Sequence, residues 1–144
     1  MDLLTWQAPK PVAAYPAEQV RAVSVGQRIT RAVAQTLRDC PLSRADIALK
    51  MGEYLGQPVL VSALDAYASQ AREGYKIPAC RLMALVHVTG DARLLQLMAE
   101  DFGFAVIERR YLPLIELAAL REHEDEIKRH ADSLRRRARS GGLL

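Results

Sequence analysis

The chain has 144 residues, half of them apolar, with a formal net charge of +3 and a sequence pI of about 9.1. That length suits one domain plus an arm or extension, and the apolar share is enough for a packed core. Mild basicity is weak support for an acidic partner such as nucleic acid. Met1 is followed by Asp2 rather than a basic segment, and no run approaches the ~20 apolar residues of a membrane span. Neither a leader nor a membrane partner is expected, and a cytoplasmic location is. Cys40 and Cys80 form no C-x-x-C pair, so reduced thiols are expected.

Residues 1–23 read as an extended N-terminal arm, because Pro9, Pro11 and Pro16 resist regular structure. Trp6 and Tyr15 are expected to pack back onto the domain; the other reading has them grip a partner subunit. A helix follows from the Ser24 cap, with Val25, Ile29, Ala32, Val33 and Leu37 at helical spacing, and Pro41 ends it. Ser43 then caps a short helix from Arg44 to about Met51. Asp46 completes a variant capping box, and Leu42 and Ile47 form a hydrophobic staple. Gly52 is expected to break that helix. After a turn over 53–58, a second short helix is expected over about 59–70, with Val61, Leu64 and Tyr67 as its buried stripe.

Residues 71–77 form a loop, and Pro78 opens the next helix at its first turn. Leu82, Leu85 and Val86 mark its core face, and Gly90 ends it. Asp91 caps a further helix with Leu94, Leu95 and Met98 inside, stopped by Gly103. Residues 104–109 allow a short extended stretch, with Phe104–Ile107 the one candidate strand. From Pro113 to about Arg139 no Gly or Pro interrupts a long helix. Leu117, Leu120, Glu124, Ile127, Ala131, Leu134 and Ala138 alternate spacings of three and four, a heptad seam. No solenoid-like repeat is visible. The expected fold is all-α: a helix-turn-helix bundle of about five helices over 24–103, preceded by the arm. A connector and a long C-terminal helix with a basic tail follow over 104–144.

The central span carries the functional argument. A helix-turn-helix needs a small residue where its helices cross, an apolar residue before it, a turn glycine, and two apolar residues three apart on the second helix. Ala48, Ile47, Gly52 and the pair Val61 and Leu64 fit these needs. The second helix would then enter the major groove. The stretch 42–91 resembles the helix-turn-helix core of phage repressors of the lambda-repressor class. More narrowly, Leu64-Asp65-Ala66-Tyr67-Ala68-Ser69, Ile77-Pro78-Ala79 and Val88-Thr89-Gly90-Asp91 look like the small regulators of Mu-like transposable phages and the CII-like group. The resemblance implies sequence-specific transcriptional regulation of phage or prophage origin, inside a bacterial host cell.

Double-stranded DNA is the partner that follows. Arg44 and Lys50 are the expected phosphate contacts, Leu60, Ser62 and Ala63 face base edges, and Arg72 and Lys76 follow the reading helix. Arg28, Arg31, Arg81 and Arg93 extend a basic rim. Two features depart from the pattern: the turn carries extra residues, and the outward positions of the second helix are short of Arg, Lys, Asn and Gln. The alternative is a protein-interaction module that docks a host or phage protein on Leu60, Val61 and Ala63.

A homodimer is expected through Leu117, Leu120, Ile127 and Leu134; packing along the chain's own domain is the other reading. Carboxylates crowd the first half of the long helix and cations the second, which suits the helix dipole and would let two antiparallel copies match acid to base. The basic end could equally grip phosphates. His123, Glu124, Asp125 and His130 read as a solvated charged face rather than a metal site, and His87 as a core or boundary residue. No phosphate loop or nucleophile elbow occurs, so no enzyme activity, cofactor or metal is expected.

Overall fold

A computed structural model describes residues 10–144 and divides them into two compact units, 10–106 and 107–144. Trp6 lies outside the described residues. Among those described, the structure is helical without a strand. Seven α-helices are present: α1 (Ala17–Val20), α2 (Val25–Asp39), α3 (Arg44–Leu55), α4 (Val61–Tyr67), α5 (Ala79–Thr89), α6 (Arg93–Glu100) and α7 (Leu112–Ser140). A 3-10 turn, Arg109–Tyr111, precedes α7.

The first unit therefore holds six helices rather than about five. The additional one, α1, lies in the arm: after Pro16 the chain makes a single helical turn that buries Val20. Residues 104–108 are irregular, not a strand. They have no neighbouring strand to pair with; instead the Val106 N–H donates to Gln96 Oε1 at 2.7 Å.

Local chemistry sets most helix ends. Ser24 Oγ accepts the Gln27 N–H at 3.2 Å, and Ser43 Oγ accepts the Asp46 N–H at 3.1 Å, so both caps form as read. α2 stops at Cys40, whose backbone is extended before Pro41. Gly90 closes α5 in the left-handed region at φ 68°.

Gly52 behaves differently from expectation. α3 runs through it to Leu55 and ends at Gly56, φ 70°, where the N–H groups of Gly56 and Gln57 both reach the Gly52 carbonyl. Gly52 is needed for close approach instead. A Cβ there would sit 3.1 Å from the Gln57 carbonyl oxygen and 3.5 Å from the Val59 nitrogen, so the returning chain lies against the bare backbone.

The core is one cluster in which Val33 of α2, Ile47 and Met51 of α3, Leu64 of α4, Leu85 of α5 and Leu94 of α6 are fully enclosed. α3 packs chiefly on α5 and also on α4; α2 packs on α1, α6 and α4. Three assignments move. Val59 is buried while Val61 is exposed, because α4 starts two residues late and Leu60 becomes its cap. Leu97 and Gln96, not Leu95 and Met98, join Leu94 inside α6. Thr30 and Thr36 complete the buried face of α2.

Polar groups in that core are satisfied. Thr30 Oγ1 donates to the Gly26 carbonyl at 3.0 Å, and Thr36 Oγ1 donates to Asp91 Oδ2 at 3.1 Å. Tyr15, from the arm, is buried and hydrogen-bonds Thr36 through its hydroxyl. The Arg93 guanidinium lies 4.4 Å from the centre of its ring. Burial pushes the Tyr15 phenol up to about 12 from the ordinary 10.0, with the nearby Asp91 charge adding and the Thr36 bond and Arg93 opposing.

Two outcomes follow. The folded state holds the Tyr15 proton where the unfolded chain releases it. Stability from this group is therefore complete below pH 10 and is lost as pH rises to about 12. Urea titrations should show the wild-type chain losing about 2 kcal/mol more over that window than Tyr15→Phe; parallel pH profiles would refute it. Gly52→Ala should lower the thermal midpoint despite the ~1 kcal/mol advantage of alanine inside a helix. Calorimetry showing a rise would mean the 57–59 backbone yields freely.

Candidate nucleic-acid interface

α3, the connection over residues 56–60 and α4 bring several expected site residues onto one part of the first unit. α3 places Arg44 in its first turn and Lys50 two turns on, both exposed. Leu60 caps α4 with its side chain two-thirds exposed, and Val61 and Ser62 begin the helix facing solvent. Ala63 is half-buried against the core, so it offers less surface than expected. Leu64, Ala66 and Tyr67 hold the helix inward.

The charges here are largely paired. Arg44 Nη1 is 2.5 Å from Asp65 Oδ1, joining the start of α3 to the outer face of α4. Both side chains are well exposed, so this pair contributes little stability. It does cancel the charge of a residue expected to meet phosphate. Two of the rim arginines, Arg28 and Arg93, behave likewise. Arg28 reaches Asp101 at 2.8 Å, which raises its already high pKa through that hydrogen bond. Arg81 donates to the Tyr67 hydroxyl at 2.8 Å, and Arg93 is held by Asp91 and Asp39.

Two residues of the loop after α4 diverge. Arg72 is exposed, its guanidinium 5.6 Å from the Tyr75 ring centre. Lys76 is not directed outward. It is half-buried, and its ammonium donates to Thr30 Oγ1 at 3.2 Å. The reason is Gly26: a Cβ there would meet Lys76 Cε at 3.0 Å, so the lysine stem runs over the bare first turn of α2. Of the four expected site cations, Lys50 and Arg72 thus remain exposed without a carboxylate partner.

Sequence reasoning missed two surface features of this unit. Tyr54 of α3 stacks on His87 of α5, ring centres 4.4 Å apart. His87 is exposed rather than enclosed. No local pattern signals a pair that only the α3–α5 packing creates. A hollow of about 400 Å³ also opens beside the α3–α4 connection, lined by Ala48, Leu49, Gly52, Pro58 and Val59 among others.

In the second unit, Leu117, Leu120, Ile127 and Leu134 lie along α7 and all four are exposed, from 44% to 61%. Among the described residues no group of three His, Cys, Asp or Glu side chains is placed to hold a metal ion, and no helix is long and apolar enough to cross a membrane. Cys40 is half-buried and Cys80 exposed, both as free thiols.

The contrast between the two lysines is directly measurable. Under limited acylation followed by peptide mass mapping, Lys50 should react several-fold faster than Lys76. Equal rates would show that the Lys76–Thr30 contact does not hold in solution. Compared with protein-family models, curated proteins and solved structures, the chain matches none.

Proposed function

We propose that this chain is a DNA-binding transcriptional regulator of phage or prophage type that acts as a homodimer. The supporting observation is the pairing of α3 with the short helix α4. Ala48 and Ile47 are buried in α3 and Leu64 in α4, while Leu60, Ser62 and Asp65 remain outward. That is the division of labour a helix-turn-helix requires, with α4 as the groove helix and α3 crossing the backbone. Lys50 and Arg72 supply unpaired positive charge, and Arg44 joins them once phosphate competes with Asp65. The homodimer rests on the exposed seam of α7, and doubles the few base contacts one α4 can make. The phage assignment rests on the resemblance of residues 64–69, 77–79 and 88–91.

One observation favours a second reading. Leu60 and Val61 are exposed side by side next to the hollow at Pro58 and Val59, an apolar surface suited to docking a host or phage protein. Salt separates the two. Phosphate contact weakens steeply as salt rises, and an apolar interface does not.

Fluorescence anisotropy with selected and scrambled duplexes tests the regulator. Arg44→Ala and Lys50→Ala should weaken binding to every sequence and flatten the log–log salt slope by about one each. Asp65→Asn should tighten binding several-fold, since it frees Arg44 and removes an anion facing phosphate. Ser62→Ala should instead change the preference between sequences. If all four leave every isotherm unchanged while circular dichroism shows an intact fold, the groove-facing assignment fails and the docking reading replaces it.

A further inference from the structure

α7 is a single helix of 29 residues, about 43 Å long at 1.5 Å per residue, and none of its residues is buried. Its seam has Leu117, Glu124, Ala131 and Ala138 at one core position of the heptad and Leu120, Ile127 and Leu134 at the other. The seam is interrupted by the carboxylate of Glu124, and Ala131 and Ala138 are small. Its charge is sorted by end. Residues 112–126 hold five carboxylates against Arg121, and residues 127–140 hold six cations against Asp132.

We propose that α7 pairs with α7 of a second copy as an antiparallel two-helix coil, its twofold axis between Asp125 and Glu126. The proposal deepens the homodimer of the preceding section and is independent of DNA contact. The register follows from the seam itself. About that axis Leu117 falls opposite Leu134 of the second copy, Leu120 opposite Ala131, and Glu124 opposite Ile127. Six of the seven seam residues are then matched, and each of those layers contains at least one large apolar side chain; Ala138 falls opposite Pro113 in the first turn of α7. Glu124 meets no second carboxylate and has Lys128 of the other copy beside its layer.

The flanks agree in part. Glu116 is placed against Arg137 of the second copy, twice by symmetry. Arg121 against Lys128 is the one like-charged flank pair, and each has a carboxylate one turn away on its own helix, Asp125 and Glu124 respectively. A parallel pair in the same seam would set Glu124 against Glu124 in a dehydrated layer. It would also lay acidic half on acidic half and basic half on basic half. Opposed helix dipoles favour the antiparallel choice as well.

Disulfide mapping reads the orientation. Chains carrying Leu117→Cys or Leu134→Cys alone should form no 117–117 or 134–134 disulfide, whereas a mixture should form 117–134. Peptide mass identifies each bond, so Cys40 and Cys80 can stay. Same-site disulfides would overturn the proposal in favour of a parallel pair. A second test needs no thiol. Ile127→Glu sets a carboxylate against Glu124 of the other copy and should weaken dimerisation at least tenfold. Adding Glu124→Lys should restore it, because each layer then holds opposite charges; in a parallel pair the double variant would still hold two like-charged layers and would not restore dimerisation.

Light scattering on the unsubstituted chain stands apart from every variant, and a monomer at the highest concentration reached overturns the proposal outright. An antiparallel dimer that binds no duplex would remove the regulator and leave this inference standing. A parallel dimer that binds duplex would do the reverse.

Discussion

Arg93 holds three groups at once: its guanidinium donates to Asp91 at 2.7 and 2.9 Å, to Asp39 at 2.9 Å, and covers the Tyr15 ring. Burial pushes the Asp91 carboxyl up, but the bonds and charge of Arg93, with a further bond from Thr36, hold it below the usual carboxylate range. A half-buried carboxylate such as Asp91 stays ionised because its partners are geometrically complete. The arm, the middle and end of α2 and the turn into α6 are therefore tied to one point. α5 enters that turn through Gly90, so the placement of α5 follows. α3 packs on α5, and α4 on α3. The surface near Arg44 and Leu60 is thus the far end of a chain of contacts that begins at Arg93.

The segments on which the phage proposal rests lie along the same chain of contacts. In residues 88–91, Thr89 Oγ1 bonds the Leu85 carbonyl, Gly90 supplies the left-handed turn, and Asp91 accepts the Arg93 N–H at 3.1 Å to start α6. In residues 64–69, Leu64, Ala66 and Tyr67 are core and Asp65 restrains Arg44. These residues build the scaffold more than they address a groove. The resemblance accordingly speaks to how this part of the chain folds. On the proposed reading, recognition would be left to Leu60, Val61, Ser62 and Arg72, where the same scaffold can carry different surfaces.

What could be read from sequence was what is local. Ser24, Ser43 and Gly90 act within one turn of their own position, so their roles needed no knowledge of the fold. Gly52 and Gly56 were not separable that way, because the demand at Gly52 comes from residues 57–59 folding back on it. The run Leu94-Leu95-Gln96-Leu97-Met98 fits two helical faces. Burial of Gln96 decides between them, and it is tolerable only because the Val106 N–H, ten residues on, meets its oxygen. Lys76 looked like a loop cation by type and position. Its inward course depends on Gly26, fifty residues earlier and silent in any local pattern. The candidate site was legible as a set of helices and less so as a set of charges, since ion pairing is settled by packing at long sequence range.

The two units handle charge in opposite ways. In the first, cations find carboxylates across short spatial gaps that the fold creates: Arg28 with Asp101, Arg44 with Asp65, Arg93 with Asp39. In α7 the opposite charges are sorted toward opposite ends of a straight rod. Glu116 and Arg137 are about 32 Å apart along it, several times the ~8 Å over which exposed charges sense each other at physiological salt. No rearrangement within one helix can join them. A helix of this length also draws most of its stability from packing an apolar stripe, and α7 leaves that stripe open. Both deficits are met by one operation, a half-turn that lays a second α7 along the first with its ends reversed. The seam closes and the acidic half meets the basic half in the same step. The Glu124 carboxylate, the residue least suited to the seam, is what makes the reversed orientation the favourable one.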